Sequence, residues 1–430
     1  MQQTRELCPG VTLRCMQDSR FKQSALSIQL LQPMTEACAA MNALLPAVLL
    51  RGCQSCPDLQ QITQRLDHLY GASIGTLVRR IGDYQTTGFY CGFMEDRFAL
   101  PGDEILAPMI RFAMELLLQP ITEDGGFSRD FVESEKRNLI ATIDSERSDK
   151  RAYAAGRLLK IMCKNDSFGI LRLGEKEQVE RIDHRTAYAH YQSILRESPI
   201  EIYYVGSASI DRVAALLQPE FARIEREPRC LPPQTPFQNA AGEEQKEEQQ
   251  IVQSKLAFGF VTPITNRDPR FAAMQVMNAV FGSGMTSKLF MEVREKMSLC
   301  YAIGSGYYGS KGILTVNAGV DWEKARQARQ AIFAQLEACQ AGQITENELA
   351  AAKESLLSGL RAVYDSPGAI ESFFSTAAIS GLGRTPEVYA REIQAVTVAD
   401  VMAAAQTVSA HSAFFLKGVT NEQTVLPRSG

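Results

Sequence analysis

Apolar residues recur at two different periods along the chain, and the change from one period to the other marks out its elements. Residues 11–16 and 23–31 alternate apolar and polar positions, predicting paired strands, and residues 74–80 and 86–93 predict a second pair. Ile105, Leu106, Met109, Ile110, Met114, Leu117 and Leu118 then fall on one stripe at helical spacing. The same succession returns later. Residues 255–261, 301–308 and 313–320 read as strands, and Ala325, Ala328, Ile332 and Leu336 mark an amphipathic helix. Strands clustered together with helices after them predict an α+β fold, a sheet with helices layered on one face, present in two copies.

Sequence matches support the two copies. Ile121-Thr-Glu precedes the helical run from Phe131, and Ile344-Thr-Glu precedes the run from Leu349. Glu180-Arg-Ile-Asp-His matches Ala395-Val-Thr-Val-Ala in pattern, and each leads to a short strand, at 200–206 and at 413–418. The matches are offset by about 212 to 223 residues and keep the same order, which points to an internal duplication. Between the copies, Pro228, Pro232, Pro233 and Pro236 precede the charged run Gly242-Glu-Glu-Gln-Lys-Glu-Glu-Gln. Prolines followed by like charge predict a linker. The expected organisation is an N-terminal half at 1–222, a linker at 223–250 and a C-terminal half at 251–430, with the linker letting the halves close on one another.

Composition narrows the function classes. The 430 residues carry 45 basic and 49 acidic side chains, a net charge of −4, which argues against binding a phosphate backbone. Ten cysteines are too sparse for a disulfide scaffold. The most apolar stretch, residues 37–50, contains Asn42 and Pro46 and is shorter than the roughly 20 residues that span a bilayer. The first residues show no basic segment followed by an apolar core, so no secretory signal and a cytoplasmic location are expected. Only four histidines occur, His68, His184, His190 and His411, which limits imidazole catalysis and histidine-ligated metal.

Individual motifs mostly reduce to structure. Gly282-Ser-Gly-Met-Thr-Ser-Lys lacks the Gly-Lys pair of a phosphate loop and predicts a tight turn with Thr286 or Ser287 capping the next helix. Cys53-Gln-Ser-Cys56 has no second pair to complete a zinc site and reads as two loop cysteines. His184 and His190 are six apart and fall on different helical faces, and His68 beside Asp67 reads as a surface or capping residue. Arg294 and Tyr301 carry more. A break near Ser298 would turn Tyr301 back toward Arg294, presenting a guanidinium fork and a phenol to a peptide carbonyl or developing oxyanion.

The stretch from Ser287 to Ala302, Ser-Lys-Leu-Phe-Met-Glu-Val-Arg-Glu-Lys-Met-Ser-Leu-Cys-Tyr-Ala, resembles the second-half motif of the pitrilysin/insulinase-type peptidases, whose zinc motif is the inverted His-x-x-Glu-His. The resemblance covers nearly the whole chain, including the duplication, and is most like the processing-peptidase branch. It implies the metalloprotease-like (LuxS/MPP-like) fold, with two sheet-plus-helix halves forming a clamshell, and substrate binding by Arg294 and Tyr301. This sequence departs from the family at the metal site. Before the Arg51-Gly52 turn, the five motif positions are Ala43-Leu-Leu-Pro-Ala47, so Ala43 and Ala47 replace the ligand histidines and Pro46 the water-activating glutamate. Glu135 matches a family glutamate, and Thr142, seven residues on, stands where the third ligand is expected.

Alanine offers zinc no donor atom, and without metal-bound water this mechanism has no nucleophile. The resemblance therefore implies a chain with no catalytic residues of its own and no metal, with zinc expected only in a partner. The expected role is the non-catalytic subunit of a heteromeric zinc metalloendopeptidase, with Arg294 and Tyr301 contacting peptide substrate. The expected partner is a sister subunit with an intact His-x-x-Glu-His motif, or a second copy in a homodimer, with no nucleic acid and no membrane. The alternative is a peptide-binding or assembly module of the same fold with no role in hydrolysis.

Overall fold

Residues 2–238 and 241–419 are described by a computed structural model, and they group into two units. In the first unit, β1 (Gln2–Cys8), β2 (Val11–Gln17), β3 (Gln23–Pro33), β4 (Ser73–Ile81), β5 (Tyr84–Met94) and, after a small hairpin of β6 (Thr122–Glu123) and β7 (Gly126–Phe127), β8 (Ile200–Gly206) form the main elements. The sheet is six-stranded in the order β1-β2-β8-β3-β5-β4. In the second unit, β9 (Glu244–Gln249), β10 (Ser254–Val261), β11 (Ala302–Tyr308), β12 (Ile313–Val320) and β13 (Ser409–Gly418) form a five-stranded sheet in the order β11-β12-β10-β13-β9.

The two orders are the same topology. Reading β2-β8-β3-β5-β4 against β9-β13-β10-β12-β11, each opens with a parallel pair and continues with antiparallel ones. The two copies of the expected α+β duplication match strand for strand, with β1 as an addition to the first, but the strands at 11–16 and 23–31 do not pair, because β8 lies between them. It also explains β9, which lies inside the expected linker. β9 is the counterpart of β2, the opening strand of the second copy. Its Glu and Lys residues line an outer strand, where charge discourages pairing with other chains. A charged edge strand and a linker look alike in sequence.

Helices cover one face of each sheet, as predicted, but the other face is covered too. On the first sheet, Val11, Leu13, Ile28, Leu30, Phe89 and Ile202 pack beneath α1 (Ala39–Leu49) and its neighbours. The opposite face carries Met16, Ala25, Tyr203 and Val205, which pack against Ile370 of the helix Pro367–Ser380. The unit therefore takes in residues 362–379 from the far end of the chain. Reciprocally, the second unit takes in residues 146–169, and Ala154, Leu158 and Ile161 pack on Ala257, Phe414 and Leu416.

Each exchanged segment is fixed by a buried charge pair. Glu371, with a fully buried side chain, accepts from Arg79 Nη2 at 3.0 Å, Ser27 Oγ at 2.7 Å and Gln29 Nε2 at 2.9 Å. Lys311, equally buried, meets Asp166 Oδ2 at 2.9 Å. Such pairs add little net stability over an apolar filling, yet removing one partner costs about 3–5 kcal/mol because the other charge is left alone. They specify which segment seats on which sheet.

Candidate functional site

The positions that the resemblance matches to metal ligands lie on α1 and α4 (Arg129–Ser148), after α2 (Leu59–His68) and α3 (Leu106–Leu118) have followed α1 in the chain. Ala43 and Ala47, one turn apart, share a face of α1. Glu135, Asn138, Leu139 and Thr142 form a stripe on α4 at helical spacing. With Thr76 and Val78 of β4, and with Arg172, they line a cavity of about 290 Å³. The structure thus brings Ala43, Ala47 and Thr142 together around one space, although they are up to about a hundred residues apart in sequence. Pro46 belongs to the same helix but is buried away from the lining.

The donor set in this cavity does not fit zinc. Ala43 and Ala47 present only methyl groups. The Thr142 hydroxyl donates to the Asn138 carbonyl at 2.9 Å, within its own helix. Glu135, 9 % exposed, is engaged by Arg51 Nη1 at 3.4 Å and by Asn138 Nδ2 at 3.1 Å. Among the described residues, no group of three or more His, Cys, Asp or Glu side chains is placed to hold a metal ion.

Pro46 has been absorbed into the structure. A proline inside a helix removes one N–H and leaves the carbonyl four residues earlier without its partner. That carbonyl belongs to Asn42, and Thr87 Oγ on β5 donates to it at 2.6 Å. The Asn42 side chain extends the repair: its Nδ2 donates to Gln85 Oε1 at 2.9 Å, and its Oδ1 lies 2.6 Å from His190 Nε2. This chain of bonds requires a proton on His190 Nε2, since Asn42 Oδ1 can only accept. Burial pushes the His190 pKa down from its ordinary value, which favours the neutral form. His184, by contrast, opens the helix His184–Glu197 with its Nε2 buried and unpaired, so the histidines do not converge.

The remaining motifs resolve as local structure. Ser287 Oγ accepts from Phe290 N–H at 3.4 Å and donates to the Gly284 carbonyl at 2.7 Å, capping the turn, while Lys288 binds Glu348 at 2.7 Å. Cys53 and Cys56 face each other across a two-residue turn, exchanging backbone bonds of 2.9 and 3.0 Å. His68 is the last residue of α2.

Arg294 and Tyr301 belong to the second unit. Arg294 sits in the segment Leu289–Lys296, which is wound so widely that Met297 N–H reaches the Glu292 carbonyl, five residues back, at 3.0 Å. Its guanidinium lies 4.5 Å from the centre of the Phe290 ring and 3.6 Å from the carboxylate of its neighbour Glu295. The break expected near Ser298 is present. Ser298 has φ of +52°, and the N–H groups of Ser298 and Leu299 close the segment on the carbonyls of Arg294 and Val293 at 3.1 Å each. Tyr301 follows, 54 % exposed, just before the edge strand β11.

The phenol is not the free donor that the sequence suggested. Tyr301 OH donates to Asp321, whose Oδ1 and Oδ2 are each 3.1 Å away, and this bond raises the Tyr301 pKa. Lys324 Nζ reaches the Ser298 carbonyl at 3.3 Å and Asp321 Oδ2 at 4.0 Å. Asp321 and Lys324 therefore hold the bend from which Tyr301 projects. Sequence reading missed both. The β11–β12 register, Ala302 opposite Gly319, places Asp321 diagonally beyond Tyr301, but that register is visible only once the strands are paired.

The family model described as the peptidase M16 inactive domain matches residues 181–356. The chain is 29 % identical over 409 residues, 95 % of its length and 96 % of the relative's, to a protein of Bacillus subtilis named probable inactive metalloprotease YmfF. It is 25 % identical over 296 residues, 67 % of each chain, to an uncharacterized zinc protease of Mycobacterium tuberculosis. Among solved structures, a conserved protein from Enterococcus faecalis superposes with a TM-score of 0.91 at 26 % identity, covering 98 % of this chain and 100 % of that one. A peptidase M16 inactive domain from Pseudomonas fluorescens gives a TM-score of 0.80 at 18 % identity over 98 % and 99 % of the chains, a likeness of fold.

Proposed function

Since the chain belongs to the M16, pitrilysin/insulinase-type, peptidase family as an inactive homologue, we propose that it is the non-catalytic subunit of a heteromeric zinc endopeptidase and binds peptide through Arg294 and Tyr301. The observation that carries this reading is the contrast between its two candidate sites. At the cavity of Ala43, Ala47 and Thr142, the Thr142 hydroxyl and the Glu135 carboxylate are tied into the fold. At Arg294, the guanidinium keeps 39 % of its surface and pairs only loosely with a neighbouring residue. An exposed arginine with a contact of this kind contributes about 0–1 kcal/mol to stability. Its five donors remain available to a peptide carbonyl.

In this reading the chain positions substrate for chemistry carried out elsewhere. Arg294 donates to the main chain of an extended peptide, and Phe290 beneath it limits the orientations of the guanidinium. A sister subunit with an intact His-x-x-Glu-His motif supplies the metal. Binding energy spent on orienting the peptide lowers the barrier for the step at the partner's site.

The test is to purify the chain with a His-x-x-Glu-His partner from the same cell and to follow cleavage of a quenched fluorogenic peptide. Arg294→Ala is expected to lower kcat/KM about 10- to 100-fold, the value of one hydrogen bond from a charged donor. Assembly with the partner and thermal stability should be unchanged. A complex that cleaves equally well with Arg294→Ala refutes the proposal.

A further inference from the structure

A phenol can give one proton and accept at its oxygen, and which of the two it offers a ligand depends on where its own proton goes. Tyr301 is exposed and stands beside Arg294 in the sequence motif, which made both residues look like donors. The structure separates their roles. Tyr301 OH lies 3.1 Å from each oxygen of Asp321 and donates to that carboxylate. The proton is therefore directed at Asp321, and the oxygen lone pairs are left for solvent or a ligand. The backbone keeps this arrangement in place. Tyr301 N–H bonds the Gly319 carbonyl at 2.9 Å, and Asp321 is two residues beyond that carbonyl on the opposite strand. Lys324 links the Asp321 side with the left-handed turn at Ser298. The group facing Tyr301 thus comes from the residue that follows β12.

We infer that Asp321 is a positioning residue that holds the Tyr301 proton, so that Tyr301 meets a bound peptide as an acceptor and reads a main-chain N–H group. The inference rests on the peptide-binding reading above and adds the sign of one of its contacts. Arg294 can only donate and so reads a carbonyl. Tyr301, held by Asp321, reads the complementary half of the peptide unit. A ligand suited to both presents N–H and C=O along one edge, as an extended main chain does. Ester-linked chains, which lack the N–H, are discriminated against, because a polar oxygen then faces the Tyr301 oxygen with no proton between them.

The experiment uses the full chain and fluorescein-labelled oxidised insulin B chain as the probe, followed by fluorescence anisotropy. Analogues with a single backbone ester in place of one amide are scanned along the peptide. One ester position is expected to weaken binding about tenfold in the wild-type chain, the value of one lost hydrogen bond plus the repulsion that replaces it. In Tyr301→Phe and in Asp321→Ala that discrimination should fall below about twofold, and the double variant should match either single one. A purely structural role for Asp321 would weaken amide and ester ligands alike and leave their ratio unchanged. Binding with no ester-sensitive position, or with one that persists in Asp321→Ala, overturns this inference and leaves the peptide-binding reading standing. Failure to bind the probe or any of its analogues removes both.

Discussion

Placing histidines at Ala43 and Ala47 and a glutamate at Thr142 is expected to create a zinc site, because these positions already surround one cavity. On α1, side chains four residues apart have Cβ atoms about 5–6 Å from each other. Two imidazoles at that spacing reach one ion at about 2.0–2.1 Å, and a carboxylate from α4 across the cavity supplies a third donor. The cost is in packing. Ala43 is only 6 % exposed, and although the cavity of about 290 Å³ takes up part of the added volume, steric strain remains. Overpacking of this kind costs about 1–3 kcal/mol in the metal-free variant. Zinc at about 100 times its Kd returns roughly 2.7 kcal/mol. The melting temperature of the triple variant should therefore rise with zinc and fall back with EDTA, while the wild type does not respond. Cobalt in place of zinc should give the visible absorption of a four-coordinate site. Histidines at Met41 and Leu45, turned to the opposite face of α1, serve as the control with the same Thr142→Glu change. An equal response in that control, or no response in a triple variant that keeps its circular dichroism spectrum, refutes the expectation that these positions can hold zinc. Peptide hydrolysis is not expected to accompany zinc binding, because Pro46 provides no carboxylate to activate water.

Two further outcomes test the surroundings of that cavity. Thr87→Val removes the donor to the Asn42 carbonyl and leaves a buried acceptor unpaired, which should cost about 1–3 kcal/mol in urea unfolding. In a Pro46→Ala background the restored helical N–H takes over that carbonyl, so Thr87→Val should cost about 1 kcal/mol less, and additivity within about 0.5 kcal/mol would show that the hydroxyl does not compensate the proline. His190 gives a pH dependence. Its pKa is lowered by burial, so the unfolded chain takes up a proton before the folded one does, and the stability contributed by the neutral ring is complete above about pH 6.5 and declines as the pH falls below that value. His190→Gln keeps a donor for Asn42 Oδ1 but does not titrate. Its stability should fall less than that of the wild type between about pH 7 and pH 5, and parallel profiles would rule out the role given to His190.

Much of the fold was legible because duplication leaves two readings of each element. The matched runs from Phe131 and from Leu349 lie in the helices Arg129–Ser148 and Glu346–Ala362, and the strands 200–206 and 413–418 are β8 and β13, which hold the same place in the two sheet orders. The exchange of helices was not legible. Ala154, Leu158 and Ile161 show that their helix buries a face, but nothing in a helical stripe says which sheet receives it. The charged strand β9 was hidden for a related reason, since edge protection and linker composition draw on the same residues. At the cavity, Ala43 and Ala47 carry no signal of their own, because an alanine pair on a buried helix is ordinary. Only the family motif singled them out. Thr87 and Asp321 were invisible because their roles depend on partners 45 and 20 residues away across paired strands.

A single substitution is not expected to give the cavity of Ala43, Ala47 and Thr142 a metal site. Replacing Pro46 by glutamate gives a carboxylate but no ligands, and replacing Ala43 by histidine gives a lone ligand in a space closed by Leu44 and Leu139. Thr142 already uses its hydroxyl on Asn138, and Arg51 already neutralises Glu135. Each of these bonds adds to the cost of rebuilding the cavity around a metal. Arg294 shows the opposite condition. Its removal would disturb one half-buried ring and one exposed adjacent carboxylate, with little consequence for folding. A donor fork that the fold does not need is best explained by something it binds. The cost of losing Arg294 should therefore appear in peptide binding and in the activity of the assembled complex, and not in the melting temperature of the isolated chain.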